Sequence, residues 1–155
     1  MPVQIVIGDA LNTKAEYICH QVNYYGAMGA GIAKQIRLKY PENFYSYKKL
    51  CDITHNKSDL LGTVHMCSEN GKTILNMFSQ DGMGYNGCFT DYDSFAKCLN
   101  VIRDTVPFCS TIAMPYLIGC GIAGGDWNVV YSLIKNILGL THEVILYDID
   151  GLSKK

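Results

Sequence analysis

Three short segments hold the residues whose types and spacing suit chemistry. Gly8-Asp9 closes an apolar run, residues 3–7. The stretch NYYGAMGAGIAKQI sets Gly26, Gly29 and Gly31 between a second apolar run, 17–22, and a helical pattern. The stretch GCGIAGGD, 119–126, follows a third apolar run, 111–115, and again leads into a helical pattern. A helix N-terminus offers unpaired N–H groups and a partial positive charge, so it attracts anions. Glycines let the backbone approach a ligand closely and adopt positive φ, which builds anion-binding concavities. One such loop is equally a packing turn. Two of them on one rim suit a diphosphate gripped from both sides.

The elements that must position these loops read as alternating strands and helices. Residues 3–7 and 17–22 are short strands. AGIAKQIRLKYP is a helix that stops near Pro41, and PENFYSYKKLC is a second with proline in its first turn. Residues 61–66 and 73–78 form a strand pair around ENGK. Residues 91–106 are a helix whose Tyr92, Phe95, Leu99, Ile102 and Val106 fall on one face, with Thr90 as its cap and Asp93 three residues on. Residues 111–115 are a strand, and 127–138 a helix with Asp126 at its N-cap and Gly139 at its C-cap. Residues 144–147 are a final strand. This order predicts an α/β sheet with helices on both faces. All three loops then sit at strand C-terminal ends, where such sheets bind ligands.

Composition narrows the classes. The 155 residues suit one compact domain, 1–155, and a 48% apolar content supports a core and excludes disorder. Thirteen Lys+Arg against 14 Asp+Glu argue against coating nucleic acid by phosphate neutralisation. The seven cysteines include no CxxC pair, and His65 with Cys67 lacks a second pair to complete a zinc site, so no metal is expected. They read as reduced thiols in a cytoplasmic setting. MPVQIVIGDALNTK lacks the features of a signal peptide, no stretch approaches a membrane span, and the tail GLSKK reads as frayed. A Rossmann fingerprint is missing because Lys34 stands where the third glycine belongs, and no Walker A loop occurs.

GDAL after the first strand, HQVNYYGAMGAGIAKQI and PYLIGCGIAGGDW occur in order and span almost the whole chain. Together they resemble the macrodomain family, on the branch of terminal ADP-ribose glycohydrolases, DNA ADP-ribosyl glycohydrolase antitoxins and the yeast ADP-ribose 1″-phosphate phosphatase. The resemblance implies a three-layer α/β/α macrodomain with a mixed central sheet, no cofactor, and a monomer that binds ADP-ribose, ADP-ribose 1″-phosphate or an ADP-ribosylated macromolecule. It implies that Asp9 accepts from the adenine amino group, with backbone contacts from Ala10. Asn23 faces the distal ribose. Met28, Gly29, Ala30, Gly31 and Ile32 belong to a first phosphate loop, and Gly119, Cys120, Gly121, Ile122 and Ala123 to a second. On the residues alone, Asp9 is also a turn or cap, Asn23 an Asx turn, His20 a core histidine and Cys120 a small residue in a tight loop.

Two positions depart from the glycohydrolase pattern of that branch. Gln80 stands where its lysine is expected, and an amide cannot form a Schiff base with an opened ribose. Ala123 stands where its acid is expected. Hydrolysis of a terminal phosphate remains open, with Asn23 and Gln80 positioning ribose hydroxyls or a water and Asp81 or His20 moving a proton. Asp81 is equally a turn residue before Gly82. The expected activity is therefore dephosphorylation of ADP-ribose 1″-phosphate. The alternatives are ADP-ribosyl glycohydrolysis without the lysine and non-catalytic reading of ADP-ribose. Gly82, Gly84 and Gly87 suggest a mobile flap over the site, with Tyr85 and Phe89 covering the ligand or anchoring the loop.

Overall fold

The computed structural model describes residues 3–83 and 87–154. Six strands form one sheet: β1 (Val3–Ile7), β2 (Tyr17–Asn23), β3 (Val64–Glu69), β4 (Lys72–Gln80), β5 (Thr111–Pro115) and β6 (Glu143–Asp148). Their spatial order is β1-β6-β5-β2-β4-β3. Every neighbouring pair is parallel except β3 and β4, which are antiparallel. That hairpin turns at Asn70-Gly71, both at positive φ (52° and 78°), the backbone that an Asn-Gly turn supplies and that matches the strand twist.

Alternation along the strands decides which helices cover which face. On β2, Cys19 joins the cluster containing Phe95, Leu99 and Ile102 of α3 (Tyr92–Thr105) and Val130 and Ile134 of α4 (Trp127–Ile137). Ile18 and Val22, on the opposite face in the period-two pattern, join Ile36 of α1 (Gly31–Lys39) and Tyr47 and Cys51 of α2 (Pro41–Ile53). On β4, Leu75 and Met77 face α3 and α4, whereas Ile74 and Phe78 face α1 and α2. The result is the three-layer α/β/α arrangement with a mixed sheet.

Local chemistry moves several boundaries. Asp91, not Thr90, caps α3: its carboxylate accepts from Ser94 N at 3.3 Å, and the Thr90 hydroxyl is used elsewhere. Asp126 caps α4 as expected, accepting from Asn128 N at 2.9 Å. The C-cap of α4 is Leu138; Gly139 follows it, where an added Cβ would lie 2.4 Å from Lys135 O. Helix α2 has no side-chain cap of its own, and Glu69 of β3 serves instead, its Oε1 accepting from Asn43 N at 2.9 Å. The tail is not frayed through its described part. Residues Leu152–Lys154 form a 3-10 turn, and the buried Asp148 carboxylate accepts from Leu152 N at 2.9 Å and Ser153 N at 2.8 Å.

Beneath α2 runs a buried polar chain. His20 Nε2 lies 2.6 Å from Asn76 Oδ1, and Asn76 Nδ2 donates to Asn43 Oδ1 at 2.8 Å and lies 2.9 Å from His65 Nδ1. Ser46 Oγ lies 2.8 Å from His65 Nε2 at its outer end.

No disulfide forms among the seven free thiols, of which Cys88 and Cys109 are exposed and Cys19, Cys51 and Cys98 are buried. Burial pushes the Cys98 thiol up to about 12 and the half-exposed Cys120 thiol up to about 11. At pH 7.5 a thiol-reactive dye should label Cys88 and Cys109 first and Cys120 slowly, and should reach Cys19, Cys51 and Cys98 only on unfolding. Mass spectrometry of time-quenched samples reads that order. Early labelling of Cys98 would contradict the core described above.

Candidate functional site

The loops after β1, β2, β4 and β5 and the segment after β6 enclose a cleft of about 820 Å³. Strand order gives the cleft a direction. At the β1–β6 end stand Asp9, Ala10, Tyr147, Ile149 and Asp150. Gly29, Ala30, Gly31 and Ile32 form one wall in the middle, and Gly119, Gly121, Ile122 and Ala123 the other. Gln21, Asn23, Gln80 and Met83 close the β2–β4 end.

The first wall is an open helix end. Ala30 occupies the N-cap of α1 in extended backbone (φ −144°, ψ 158°) and offers no side-chain acceptor. Gly31 follows at φ +57°, the left-handed region. The N-termini of α2, α3 and α4 are served by Glu69, Asp91 and Asp126; that of α1 faces the cleft with its donors unspent.

The second wall is a folded glycine loop. Cys120 N donates to Leu117 O at 2.8 Å, Gly124 N to Gly121 O at 3.0 Å and Gly125 N to Gly119 O at 2.9 Å. The N–H groups of Gly121, Ile122 and Ala123 have no acceptor among the described residues. Gly124 (φ +74°) has no room for a side chain, because an added Cβ would lie 2.3 Å from Gly87 O.

No lysine, arginine or histidine is among the described residues that line the cleft, and its two carboxylates, Asp9 and Asp150, share the β1–β6 end. An anion held between the two loops would therefore be held by backbone N–H groups and the α1 dipole.

The expected site residues divide by position. Asp9 lines the cleft and also caps the 3-10 turn Ala10–Asn12, Oδ1 accepting from Leu11 N at 2.9 Å, so the cap reading holds. Gln80 lines the cleft, with Nε2 donating to Gly82 O at 2.9 Å. Asn23 lines it too, but its side chain is committed to the loop. Nδ2 donates to Ala27 O at 2.9 Å, Oδ1 accepts from Tyr25 N at 3.0 Å, and the Tyr47 hydroxyl donates to the Asn23 backbone carbonyl at 2.6 Å. Asn23 thus shapes the first wall as an Asx turn. Burial holds the Tyr47 phenol far above its ordinary range, so it remains a donor.

Four expected residues do not line the cleft. Met28 is 2% exposed and packs behind the loop with Tyr47 and Phe78. Cys120 turns away from the cleft lining, its N–H spent inside the loop. His20 is fully buried under α2 and cannot exchange protons with a ligand. Asp81 is exposed outside the lining, where it accepts from the Tyr24 hydroxyl and ties the β2 and β4 loops together.

The described part of the expected flap segment is hydrogen-bonded at Asp81 and Phe89. Asp81 N donates to Phe89 O at 2.7 Å, Phe89 N to Ala123 O at 2.7 Å, and the Phe89 ring packs on Gly82. Phe89 anchors the loop and does not line the cleft. Gly84 and Tyr85 lie outside the described residues.

Sequence reasoning missed Gln21, Gln35, Met83, Tyr116, Tyr147, Ile149 and Asp150 as lining residues. Gln21 carried a signal, a polar residue at the end of an apolar strand. The last three follow from β6 lying beside β1, which chain order does not reveal.

No protein-family model matches the chain. A Mycobacterium tuberculosis protein named DNA ADP-ribosyl glycohydrolase is 31% identical over 153 residues, covering 95% of this chain and 42% of that protein. The chain thus spans less than half the length of that relative. Among solved structures, the macrodomain of Mycobacterium tuberculosis DarG aligns with a TM-score of 0.73 at 24% identity, covering 95% of this chain and 99% of that one. Thermosipho africanus DarTG, solved in complex with ADP-ribose, aligns at 0.73 and 21% identity over 92% of this chain and 40% of that one. A mixed six-stranded sheet with two glycine loops facing across the strand ends defines a three-layer α/β domain with a cleft walled by those loops. The chain has the macrodomain fold.

No described helix is long and apolar enough to cross a membrane. No group of three or more described His, Cys, Asp or Glu side chains could hold a metal ion.

Proposed function

We propose that this cleft binds ADP-ribose and that the protein is an ADP-ribose hydrolase, acting best on ADP-ribose 1″-phosphate. One observation carries the reading: an uncapped helix end and a glycine loop face each other across a cleft whose described lining has no cationic side chain. Backbone donors on both walls suit a diphosphate. Asp9, at the β1–β6 end, suits the adenine amino group through Oδ2, since Oδ1 already serves Leu11. That orientation directs the distal ribose to Gln80 and Asn23.

The chemistry must then proceed with few ionisable groups. Gln80 cannot act as an amine nucleophile, and Ala123 provides no acid. Phosphate-ester hydrolysis asks least of the side chains. Water attacks phosphorus, the P–O bond to the ribose oxygen breaks, orthophosphate leaves and the ribose oxygen takes a proton. Binding energy from adenine and diphosphate orients the reacting end.

A second reading has its own support. Met83 and Ile122 stand 52% and 48% exposed on the cleft wall, so the site is open to a substrate that extends beyond ADP-ribose. That suits ADP-ribosyl glycohydrolysis of a macromolecule, the activity in the name of the mycobacterial relative.

Titration calorimetry with ADP-ribose tests the cleft, and phosphate release from ADP-ribose 1″-phosphate tests the activity. Binding with steady release supports the phosphatase. Binding without release, with cleavage of ADP-ribosylated DNA or protein, supports the second reading; binding alone leaves a reader of ADP-ribose. Asp9→Ala should weaken ADP-ribose by about ten- to a hundredfold, the loss of a charged hydrogen bond of about 1.5–3 kcal/mol. It should also cost about 1 kcal/mol of stability through the lost cap. Unchanged affinity would remove Asp9 from the adenine end.

A further inference from the structure

Thr90 lies outside the cleft lining, 5% exposed, at the point where the β4 and β5 loops meet. Its hydroxyl closes a directed chain of hydrogen bonds that crosses three segments. Ser79 Oγ donates to Gln21 Oε1 at 2.8 Å, Gln21 Nε2 to Thr90 Oγ1 at 3.0 Å, and Thr90 Oγ1 to Gly119 O at 2.5 Å. Each hydroxyl has a single proton, and each is spent once along the chain. Gly125 N converges on the same Gly119 carbonyl at 2.9 Å. Gly119 sits at φ +76°, and a Cβ there would meet Gln21 Oε1 and Thr90 Oγ1, both at 3.2 Å. The bare backbone at 119 thus admits the clasp, and the clasp holds the entry of the glycine loop.

We propose that Thr90 is the positioning residue of this site. It fixes the Gly119 carbonyl and thereby aims the N–H groups of Gly121, Ile122 and Ala123 into the cleft. The effect on binding rests on the ADP-ribose reading above; the effect on loop order does not. Gln80 and Thr90 also form an isolated antiparallel bridge, so the same residue ties the loop to the strand end carrying Gln80. Removing the hydroxyl while keeping the shape leaves Gln21 Nε2 without its acceptor and Gly119 O with one donor fewer.

The experiment compares Thr90→Val and Thr90→Ser with the wild type in two readouts. Amide hydrogen exchange without ligand should quicken at least about tenfold at the hydrogen-bonded amides of Cys120, Gly124 and Gly125 in Thr90→Val and return to the wild-type rate in Thr90→Ser. The ADP-ribose Kd should rise about tenfold in Thr90→Val and stay within about threefold in Thr90→Ser, as one buried hydrogen bond predicts. A purely structural role would move the melting temperature without this rescue pattern. Should Thr90→Val not fold, Thr90→Ala serves in its place. The proposal is overturned if exchange in the loop is unchanged, if Thr90→Ser behaves like Thr90→Val, or if exchange quickens while affinity holds. A wild type that does not bind ADP-ribose overturns the functional reading and with it the binding half of this one. Loop exchange then decides the clasp alone.

Discussion

Gly31→Glu should abolish ADP-ribose binding while the protein stays folded. The position decides both halves of that expectation. Gly31 stands at φ +57°, and nothing lies within 4 Å of where its Cβ would be. A side chain there meets backbone strain and no clash, so the stability cost is about 1–2 kcal/mol. Its carboxylate, however, enters the cleft at the open end of α1, where an anionic diphosphate is proposed to sit. It occupies the donors that the ligand would use and repels the ligand's charge, so affinity should fall more than about a hundredfold. Gly31→Ala separates the effects, since it carries the strain without the charge and should lose much less affinity. Gly124→Ala is the opposite case: its Cβ would overlap the backbone oxygen of Gly87 at 2.3 Å, so the second loop itself must rearrange. Calorimetry with thermal unfolding reads both quantities. A Gly31→Glu protein that binds within about tenfold of wild type would mean that the diphosphate lies elsewhere.

Much of this was legible because short-range patterns govern it. The spacing of Phe95, Leu99 and Ile102 forces them onto one face, and α3 buries that face. The glycines before α1 and α4 announced backbone conformations that no other residue adopts easily, and Gly31, Gly119 and Gly124 do take positive φ. What sequence could not show was what each polar side chain does once the strands assemble. Asn23 read both as a residue facing a ribose and as an Asx turn; its amide is consumed by Ala27 and Tyr25, and its backbone carbonyl by Tyr47 of α2, a distant partner that local pattern does not reveal. Thr90 read as a cap, but a nearby aspartate won that task and released the hydroxyl for Gly119. Tyr147 and Asp150 enter the cleft only because β6 inserts between β1 and β5, a long-range choice invisible in local pattern.

His20 supplies the other large expected effect, and it concerns stability. Period-two alternation places it on the α2 face of β2, fully buried. Burial holds its imidazole down at about 4 from the usual 6.5, only partly opposed by the hydrogen bond to Asn76. The groups around it are neutral amides, together with His65, which burial also lowers, and Glu69, which serves Asn43 N. The folded protein therefore keeps His20 uncharged where the unfolded chain would protonate it. Between pH 6.5 and about 4 the unfolded state binds more protons, so stability falls as pH falls through that window. The loss from this one residue should reach about 2 kcal/mol at pH 5 and about 3 kcal/mol at pH 4, because each tenfold preference for the unprotonated form is worth about 1.4 kcal/mol. Below the folded value both states are protonated and the loss stops growing. Carboxylates titrate in the same acid range, so the comparison that isolates His20 is with His20→Gln, which has no charge to gain. That variant should be less stable than wild type at pH 7.5, because it disturbs a packed hydrogen-bonded site. It should then lose about 2 kcal/mol less than wild type between pH 7.5 and pH 5 in urea unfolding. Parallel pH profiles for the two proteins would mean that His20 is free to protonate in the fold, and that the chain through Asn76 does not hold it neutral.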